Sequence, residues 1–149
     1  MINWGDFMKQ NLEDLNIIDL ISEKHIVLRR EVEERWATNE EEDISHTESL
    51  LLAKIYMGKI SLAEVARHAN ISRQAMFKCA KKLEEKGYLT FVLDSKQQKY
   101  SKLTDKGIDY CHKSQMLKEQ LEQEISNTLG VQSLQMLKDL LKKNWIINR

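Results

Sequence analysis

A chain of 149 residues with 23 basic and 23 acidic side chains, no proline and five glycines fits one domain or a small module with added helices. Its 31% charged residues and its many Leu, Ile, Lys and Glu favour a mainly helical fold. No apolar run reaches the roughly 18 residues of a membrane span, and the N-terminus lacks a signal-peptide pattern, so we expect a cytoplasmic protein without membrane contact.

The N-terminal part is predicted to hold a long amphipathic helix. Its apolar residues recur every three or four positions from Ile18 to Trp36. Asn16 or Asp19 is placed to cap its start, and a shorter helix around residues 4–11 would precede it. The apolar stripe is broad, so it must pack on the rest of the chain or on a second subunit. The acidic stretch 38–43 that follows is interpreted as a solvated loop.

Two helix starts then follow in succession. Ser45 with Glu48, and Ser61 with Glu64, have the spacing of a capping box, in which the two side chains bond each other's backbone amides. The first helix presents Leu51, Leu52, Ile55 and Tyr56, and we expect Gly58 to end it in a left-handed conformation. The second is predicted over residues 62–68, with Leu62, Val65 and Ala66 facing the core.

A tight turn and a basic helix come next. Ala69 and Asn70 form the turn, because Asn tolerates left-handed dihedral angles. Ser72 is predicted to cap a helix that runs to about Lys86 and stops at Gly87. Its inner face is predicted to carry Met76, Ala80 and Leu83, with Cys79 near them. Its outer face is predicted to carry Arg73, Gln74, Phe77, Lys78, Lys81 and Lys82.

The chain then changes to a strand pattern. Residues 88–93 (YLTFVL) and 99–103 are rich in aromatic and β-branched residues, and the polar stretch 94–98 separates them. This predicts a β-hairpin. Together with the two preceding helices it forms the order of elements of a winged helix-turn-helix, in which the second helix fits the DNA major groove.

Two further helices complete the prediction. Thr104 is expected to cap the first, over 105 to about 128, with Ile108, Cys111, Leu117, Leu121 and Ile125 as its apolar positions. Gly130 breaks it. The last helix is predicted over Val131 to Ile147, with a stripe of Leu134, Leu137, Leu140, Leu141 and Trp145.

The zero net charge hides an asymmetry along the chain. Residues 1–58 carry 6 basic and 13 acidic side chains, whereas residues 59–106 carry 11 basic and 5 acidic ones. Residues 107–149 carry 6 basic and 5 acidic side chains. Positive charge is therefore concentrated on the segment with the winged helix-turn-helix pattern, where it attracts phosphate.

The order of elements and several sequence motifs resemble those of the MarR family of bacterial transcription regulators over nearly the whole chain. The most specific pieces are ISRQAMFKCAKKLEEKGYL and KLTDKG. The second piece follows the predicted hairpin, which is the wing of such a unit. This piece supplies the family's Leu-Thr-x-x-Gly element with Leu103, Thr104 and Gly107. The sequence LGVQSLQMLKDLLKKN resembles the family's last dimerisation helix.

The resemblance implies a mainly α fold with a small β wing, flanked by dimerisation helices. Residues 1–44 would form the N-terminal dimerisation part, 45–104 the DNA-binding unit and 105–149 the C-terminal dimerisation helices. It implies a homodimer that binds a pseudo-palindromic operator in double-stranded DNA, most often as a repressor, and that a small molecule releases. An effector pocket between these parts could be lined by His25, Trp36, Tyr56 and Met57, although apolar residues at helical spacing are more often plain core.

The wing departs from the family pattern. The family usually has Asp-Pro-x-Asp-x-Arg, with the Arg in the minor groove, whereas this loop reads DSKQQKYSK and is about two residues shorter. Asp94 matches the first Asp. Lys96, Gln98 and Lys99 are left to make the wing contacts, and Lys suits a narrow minor groove less well than Arg. We therefore expect phosphate contacts with little base preference here.

The basic helix supplies the candidate base contacts. Arg73 and Gln74 lie in its first turn, where Arg suits guanine and Gln suits adenine. Ala75 or Phe77 could meet a thymine methyl group, with packing under the wing as the alternative for Phe77. Ser72 and Ser61, at helix starts, are candidates for phosphate binding or caps only, and Lys78 and Lys81 are candidates for phosphate.

Other classes of function find little support. The four histidines show no metal-ligand spacing, and no catalytic constellation or cofactor motif is present in the sequence, so we expect neither an enzyme nor a cofactor. Two alternatives to a ligand-responsive DNA-binding regulator stay open. One is a protein-interaction module, and the other is a redox sensor that uses Cys79 or Cys111, which are otherwise interpreted as small buried side chains.

Overall fold

The computed structural model describes residues 12–37 and 44–147. After a short 3-10 turn at Leu12–Asp14, the described elements are α1 (Ile17–Ala37), α2 (His46–Met57), α3 (Leu62–Ala69), α4 (Arg73–Glu85), β1 (Leu89–Leu93), β2 (Lys99–Leu103), α5 (Asp105–Leu129) and α6 (Val131–Lys142). The chain divides into two compact units, Met1–Glu41 and Glu42–Arg149. The helix predicted around residues 4–11 and the acidic loop at 38–43 lie outside the described residues.

The N-terminal unit contains the predicted long helix. Asn16 caps α1, since its side-chain oxygen accepts a hydrogen bond from the Asp19 amide at 2.9 Å. No residue of α1 is buried, and Ile17 and Ile18 are 59% and 72% exposed. Within the predicted stripe, Ile18 and Ile21 are exposed, whereas Leu28, Val32 and Trp36 are half-buried.

The core of the second unit lies between α2, α3, α4, α5 and the hairpin. Its largest fully buried side chains come from each of these elements except α5, and they are Leu51, Leu52, Val65, Met76, Leu83 and Leu89. Tyr110, Cys111, Leu117 and Leu121 add the buried face of α5. These residues match the predicted stripes of α2, α3 and α4, except that Tyr56 is 41% exposed and Leu62 is only half-buried.

Side-chain caps define the helix starts as predicted. The hydroxyl oxygens of Ser45, Ser61, Ser72 and Thr104 each accept the amide of the residue three positions on, at 3.0–3.2 Å. Asn70 ends α3 in the left-handed region with φ 54° and ψ 45°. Gly58 ends α2, but its φ of 152° with an extended ψ is not the left-handed cap that we predicted.

The first capping box is only half formed. The Glu48 amide bonds Ser45, but the Glu48 carboxylate accepts a hydrogen bond from Lys86 Nζ at 2.8 Å. Glu48 is buried, so its charge is matched by the basic group at the end of α4. This pair ties the start of α2 to the end of α4, a long-range contact that the local sequence could not indicate.

The predicted hairpin is present as an antiparallel pair. Leu89 pairs with Leu103, Phe91 with Ser101, and Leu93 with Lys99. The first strand starts at Leu89, one residue later than predicted, because the buried Tyr88 belongs to the turn after α4, where its amide bonds the Leu83 carbonyl at 2.9 Å.

Gly107 fixes the junction between the hairpin and α5. A Cβ atom at this position would lie 2.1 Å from the Tyr88 carbonyl oxygen, so any other residue would force the backbone apart. Thr104 donates its hydroxyl hydrogen to the Gly87 carbonyl at 2.6 Å. Both contacts set the rotation of α5 about its axis, so that Gly107 and Tyr110 are buried. Ile108 is 37% exposed, and the prediction that it faces the core was wrong.

The last helix is shorter than predicted. It ends at Lys142, and the backbone of Lys143 is extended, so Trp145 and Ile147 lie beyond the helix. The indole Nε1 of Trp145 donates to the Leu140 carbonyl at 2.7 Å, which satisfies one of the carbonyls left open at the helix end. None of the described helices is both long enough and apolar enough to cross a membrane.

Candidate nucleic-acid interface

Helix α4 separates a buried face from an exposed one. Met76, Ala80 and Leu83 are fully buried against the core, and Cys79 is nearly so. Ser72, Arg73, Gln74, Ala75, Phe77 and Lys78 are exposed, as their positions in the sequence predicted. Phe77 is 45% exposed, which leaves part of its ring accessible. The outer face is therefore available over the first two turns, the part of a recognition helix that meets base edges.

Both candidate phosphate-binding serines act as helix caps. Ser72 Oγ accepts the Ala75 amide at 3.0 Å, and Ser61 Oγ accepts the Glu64 amide at 3.1 Å. This confirms the capping role of each. A hydroxyl that accepts a hydrogen bond still has its own hydrogen to donate, so a cap and a phosphate contact are compatible in chemistry.

The lysines of α4 differ in their surroundings. Lys78 is exposed. Lys81 Nζ lies 2.9 Å from Glu84 Oε1 and 5.6 Å from the ring centroid of Phe91 on β1. Because exposed ion pairs contribute little stability, the bond to Glu84 would not prevent Lys81 from turning to a phosphate.

The wing turn is organised by Asp94. Its Oδ1 accepts the backbone amides of Lys96 and Gln98, each at 2.9 Å. Gln97 has a positive φ of 61°, a conformation that a tight turn requires. The side chains of Lys96, Gln98 and Lys99 are exposed, and Lys99 Nζ lies 4.5 Å from the Phe91 ring centroid. A shortened loop without proline thus still makes a defined turn.

Lys59 is a residue of this region that the sequence analysis did not single out. It precedes Ser61 in the connection between α2 and α3, and its Nζ lies 3.0 Å from Asp94 Oδ2. The same group lies 4.6 Å from the ring centroid of Tyr100. In the sequence, Lys59 is distinguished only as the first residue of the basic segment 59–106. Its partners Asp94 and Tyr100 lie 35 and more residues away, so local patterns could not indicate the contact.

The two cysteines are free and buried. Burial, and next the nearby Glu48 carboxylate, raise the pKa of the Cys79 thiol to about 11. Burial also raises the pKa of Cys111, whose Sγ lies 3.7 Å from the Leu52 carbonyl oxygen. Because the thiolate is the form that reacts with oxidants, these surroundings disfavour the redox-sensor hypothesis.

A groove of about 210 Å³ lies between α2 and α5. It is lined by Ser49, Ala53, Tyr56, Met57, Tyr110, Cys111, Ser114, Gln115 and Lys118. Two of the four predicted effector residues, Tyr56 and Met57, are therefore brought together here. The other two, His25 and Trp36, belong to α1 in the N-terminal unit.

The possible metal-ligating side chains of the described residues are scattered. Within residues 12–37 and 44–147, no group of three or more His, Cys, Asp or Glu side chains is placed to hold a metal ion. His112, one of the four scattered histidines, instead stacks edge to face on Tyr56 with 5.6 Å between ring centroids.

Helices α3 and α4 with the adjoining hairpin define a winged helix-turn-helix. No protein-family model and no curated protein matches the sequence. Solved structures do match the fold. MepR, a transcription regulator of the Staphylococcus aureus multidrug efflux pump MepA, is 17% identical, over 86% of this chain and 96% of its own, with a TM-score of 0.66.

Two structures of the Mycobacterium tuberculosis MarR family protein Rv2887 are also similar, each with 22% identity and coverage of 97% of that protein. The complex with DNA matches 87% of this chain with a TM-score of 0.68. The complex with salicylic acid matches 88% with a TM-score of 0.69. The chain therefore has the fold of the MarR-type regulators, and the predicted fold class of helices with a small β wing is confirmed.

Proposed function

We propose that this protein is a sequence-specific DNA-binding transcription regulator that binds a pseudo-palindromic operator as a homodimer. The observation that carries the proposal is the exposed outer face of α4, with Arg73, Gln74 and Lys78, on a helix whose inner face is fully buried beside a basic wing. The similarity in fold to a protein solved in complex with DNA supports it.

The proposed reading mechanism assigns different tasks to the exposed residues. Arg73 and Gln74 would bond base edges in the major groove, where a good bidentate pair contributes about 1–3 kcal/mol of discrimination. Ala75 or Phe77 would meet a thymine methyl group. Phosphate would be bound by Ser61, Ser72, Lys78 and Lys81, and by the wing residues Lys96, Gln98 and Lys99.

Homodimerisation is supported by the apolar surface of α6. Leu137, Leu140 and Leu141 are 44–54% exposed, and Val131 and Met136 are 74% and 66% exposed. Several large apolar side chains exposed on one helix are typical of a surface that another protein covers. Two copies of α4 related by a two-fold axis would read two half-sites, which accounts for a palindromic operator.

A small-molecule effector is the second part of the proposal, and repression relieved by such a ligand is the mode we propose. The groove between α2 and α5 has the mainly apolar lining and aromatic edge that suit a small amphipathic molecule. The complex of a similar protein with salicylic acid supports this. Release of DNA requires that the ligand bind the non-DNA-binding geometry more tightly than the DNA-binding one.

The test is footprinting on the promoter region of the protein's own gene. Arg73→Ala and Lys78→Ala are compared with Lys113→Ala, which removes an exposed charge from α5. The proposal is supported if the wild-type protein protects a palindrome and Arg73→Ala loses this protection. Lys78→Ala should weaken the protection without changing sequence preference, and Lys113→Ala should keep it. Weak, sequence-independent binding that no substitution changes would refute it and favour a protein-interaction module.

A further inference from the structure

Lys59 contacts both arms of the hairpin near its tip. Its ammonium group lies 3.0 Å from Asp94 Oδ2, just after β1, and 4.6 Å from the Tyr100 ring centroid, in β2. Tyr100 pairs with Val92 across the hairpin, so the two contacts straddle the end of the sheet. The Lys59 side chain, which lies outside the hairpin, therefore contacts both arms of the hairpin.

The Asp94 carboxylate links this contact to the shape of the turn. Oδ1 accepts the amides of Lys96 and Gln98, and Oδ2 accepts from Lys59 Nζ. The bond from the Gln98 amide, followed by that from Lys59, lowers the pKa of Asp94, so the carboxylate is charged at neutral pH. The Asp94 side chain is only 16% exposed, whereas that of Lys59 is 60% exposed.

The position of Lys59 connects the wing to the helix-turn-helix. Lys59 stands two residues before Ser61, which caps α3. A two-stranded hairpin is only marginally stable by itself, so its orientation depends on the contacts it makes with the rest of the unit. The Lys59 contacts link the hairpin tip to the segment that leads into α3.

We propose that Lys59 is a positioning residue that clamps the wing, so that Lys96, Gln98 and Lys99 meet the same DNA duplex as Arg73 and Gln74. The proposal rests on the DNA-binding function proposed above. It assigns to Lys59 a role through Asp94 and Tyr100 rather than a phosphate contact of its own. Lys59 would also hold in place a wing that lacks the proline and arginine of the family pattern that the sequence resembles.

The test is a double-mutant cycle with Lys59→Met, Asp94→Asn and the double variant. Met keeps the apolar stem of Lys59, and Asn keeps an oxygen for the two turn amides, so each substitution removes mainly the link between them. Lys59→Arg should restore the link, and Lys113→Met on α5 controls for the loss of one positive charge. The two measurements are operator affinity at several salt concentrations, and hydrogen exchange of the wing amides without DNA.

We expect both single variants to speed exchange at residues 94–100 and to weaken operator binding about 3- to 10-fold, with the double variant no worse than either single one. The salt dependence should stay as in the wild type. The clamp is refuted if wing exchange is unchanged in both variants. It is also refuted if Lys59→Met alone weakens binding and lowers the salt slope by about 0.9, the change expected for one lost phosphate contact.

The two proposals fail in different ways. If the wild-type protein shows no sequence preference, the proposed function fails, but the exchange measurement needs no DNA and still decides whether Lys59 holds the wing. If operator binding is specific and the wing exchanges alike in all variants, the proposed function stands and the clamp fails.

Discussion

The winged unit and the C-terminal helix α6 use apolar residues in opposite ways. Helix α4 buries Met76, Ala80 and Leu83 completely, and its start is capped by Ser72. Helix α6 buries no residue, starts at Gly130 without a side-chain cap, and leaves Leu137 and Leu141 about half exposed. Both helices have a regular apolar stripe in the sequence. The difference shows that α4 is packed into the core of the second unit, whereas α6 leaves its apolar stripe exposed.

The largest loss of stability is expected from a cavity in the core beside α4. Leu83→Ala removes a fully buried side chain from α4, and we expect a loss of about 2–5 kcal/mol in the free energy of unfolding. Leu141→Ala on α6 should change it by less than about 1 kcal/mol if measured at a concentration where the protein is monomeric. Chemical denaturation followed by circular dichroism measures both. Equal losses would contradict the distinction between the two helices.

Gly107→Ala tests the junction between the hairpin and α5. The added methyl group would meet the Tyr88 carbonyl oxygen, so the backbone must shift, and we expect a loss of about 1–3 kcal/mol in the free energy of unfolding. Asn127→Ala, at an exposed position of the same helix, serves as the control and should stay near the wild-type value. A gain in stability, as Gly→Ala usually gives within a helix, would show that the close approach is not real.

Leu141→Asp tests whether the exposed stripe of α6 is an interface. A charge at this position would be desolvated in a dimer but solvated in a monomer, so we expect dimerisation at least tenfold weaker, about 1.4 kcal/mol. Gln132→Asp adds the same charge near the start of α6 and is the control. Sedimentation velocity over a range of concentrations measures the effect. An unchanged distribution of species would place any interface elsewhere.

A pH-dependent effect is expected from the buried Cys79 thiol of α4. Because the pKa of Cys79 is raised from 9.0 to about 11 on folding, the unfolded chain loses this proton first as pH rises. The contribution of Cys79 to stability is therefore complete below pH 9 and is lost as pH rises to about 11. We expect the stability of the wild type to fall more steeply than that of Cys79→Ala in this window, as measured by urea denaturation. Parallel pH profiles would contradict it.

Local patterns were enough to predict much of the winged unit. The serine and threonine caps, the left-handed Asn70 and the inner face of α4 depend on residues within a few positions of one another, and each was predicted correctly. The exposure of Arg73, Gln74 and Lys78 follows from the same helical period. Their contact with DNA stays a prediction.

Two of the errors arose where distant residues meet, and the error at the end of α6 was local. The rotation of α5 was wrong at Ile108 because Gly107 packs against the Tyr88 carbonyl. The end of α6 was placed too late because apolar residues continue past Lys142, although the helix does not. The role of Lys59 was missed because Asp94 and Tyr100 are far from it in sequence.

The sequence by itself determined the order of helices and strands, the positions of the caps and the concentration of positive charge on residues 59–106, since these depend on short-range periodicity and composition. Tertiary structure alone decided which charges are paired across elements. Glu48 with Lys86 and Asp94 with Lys59 are joined only when the chain is folded, because side chains 35 or more residues apart become neighbours through the packing of the core. Those pairings connect the wing and α4 to distant parts of the second unit.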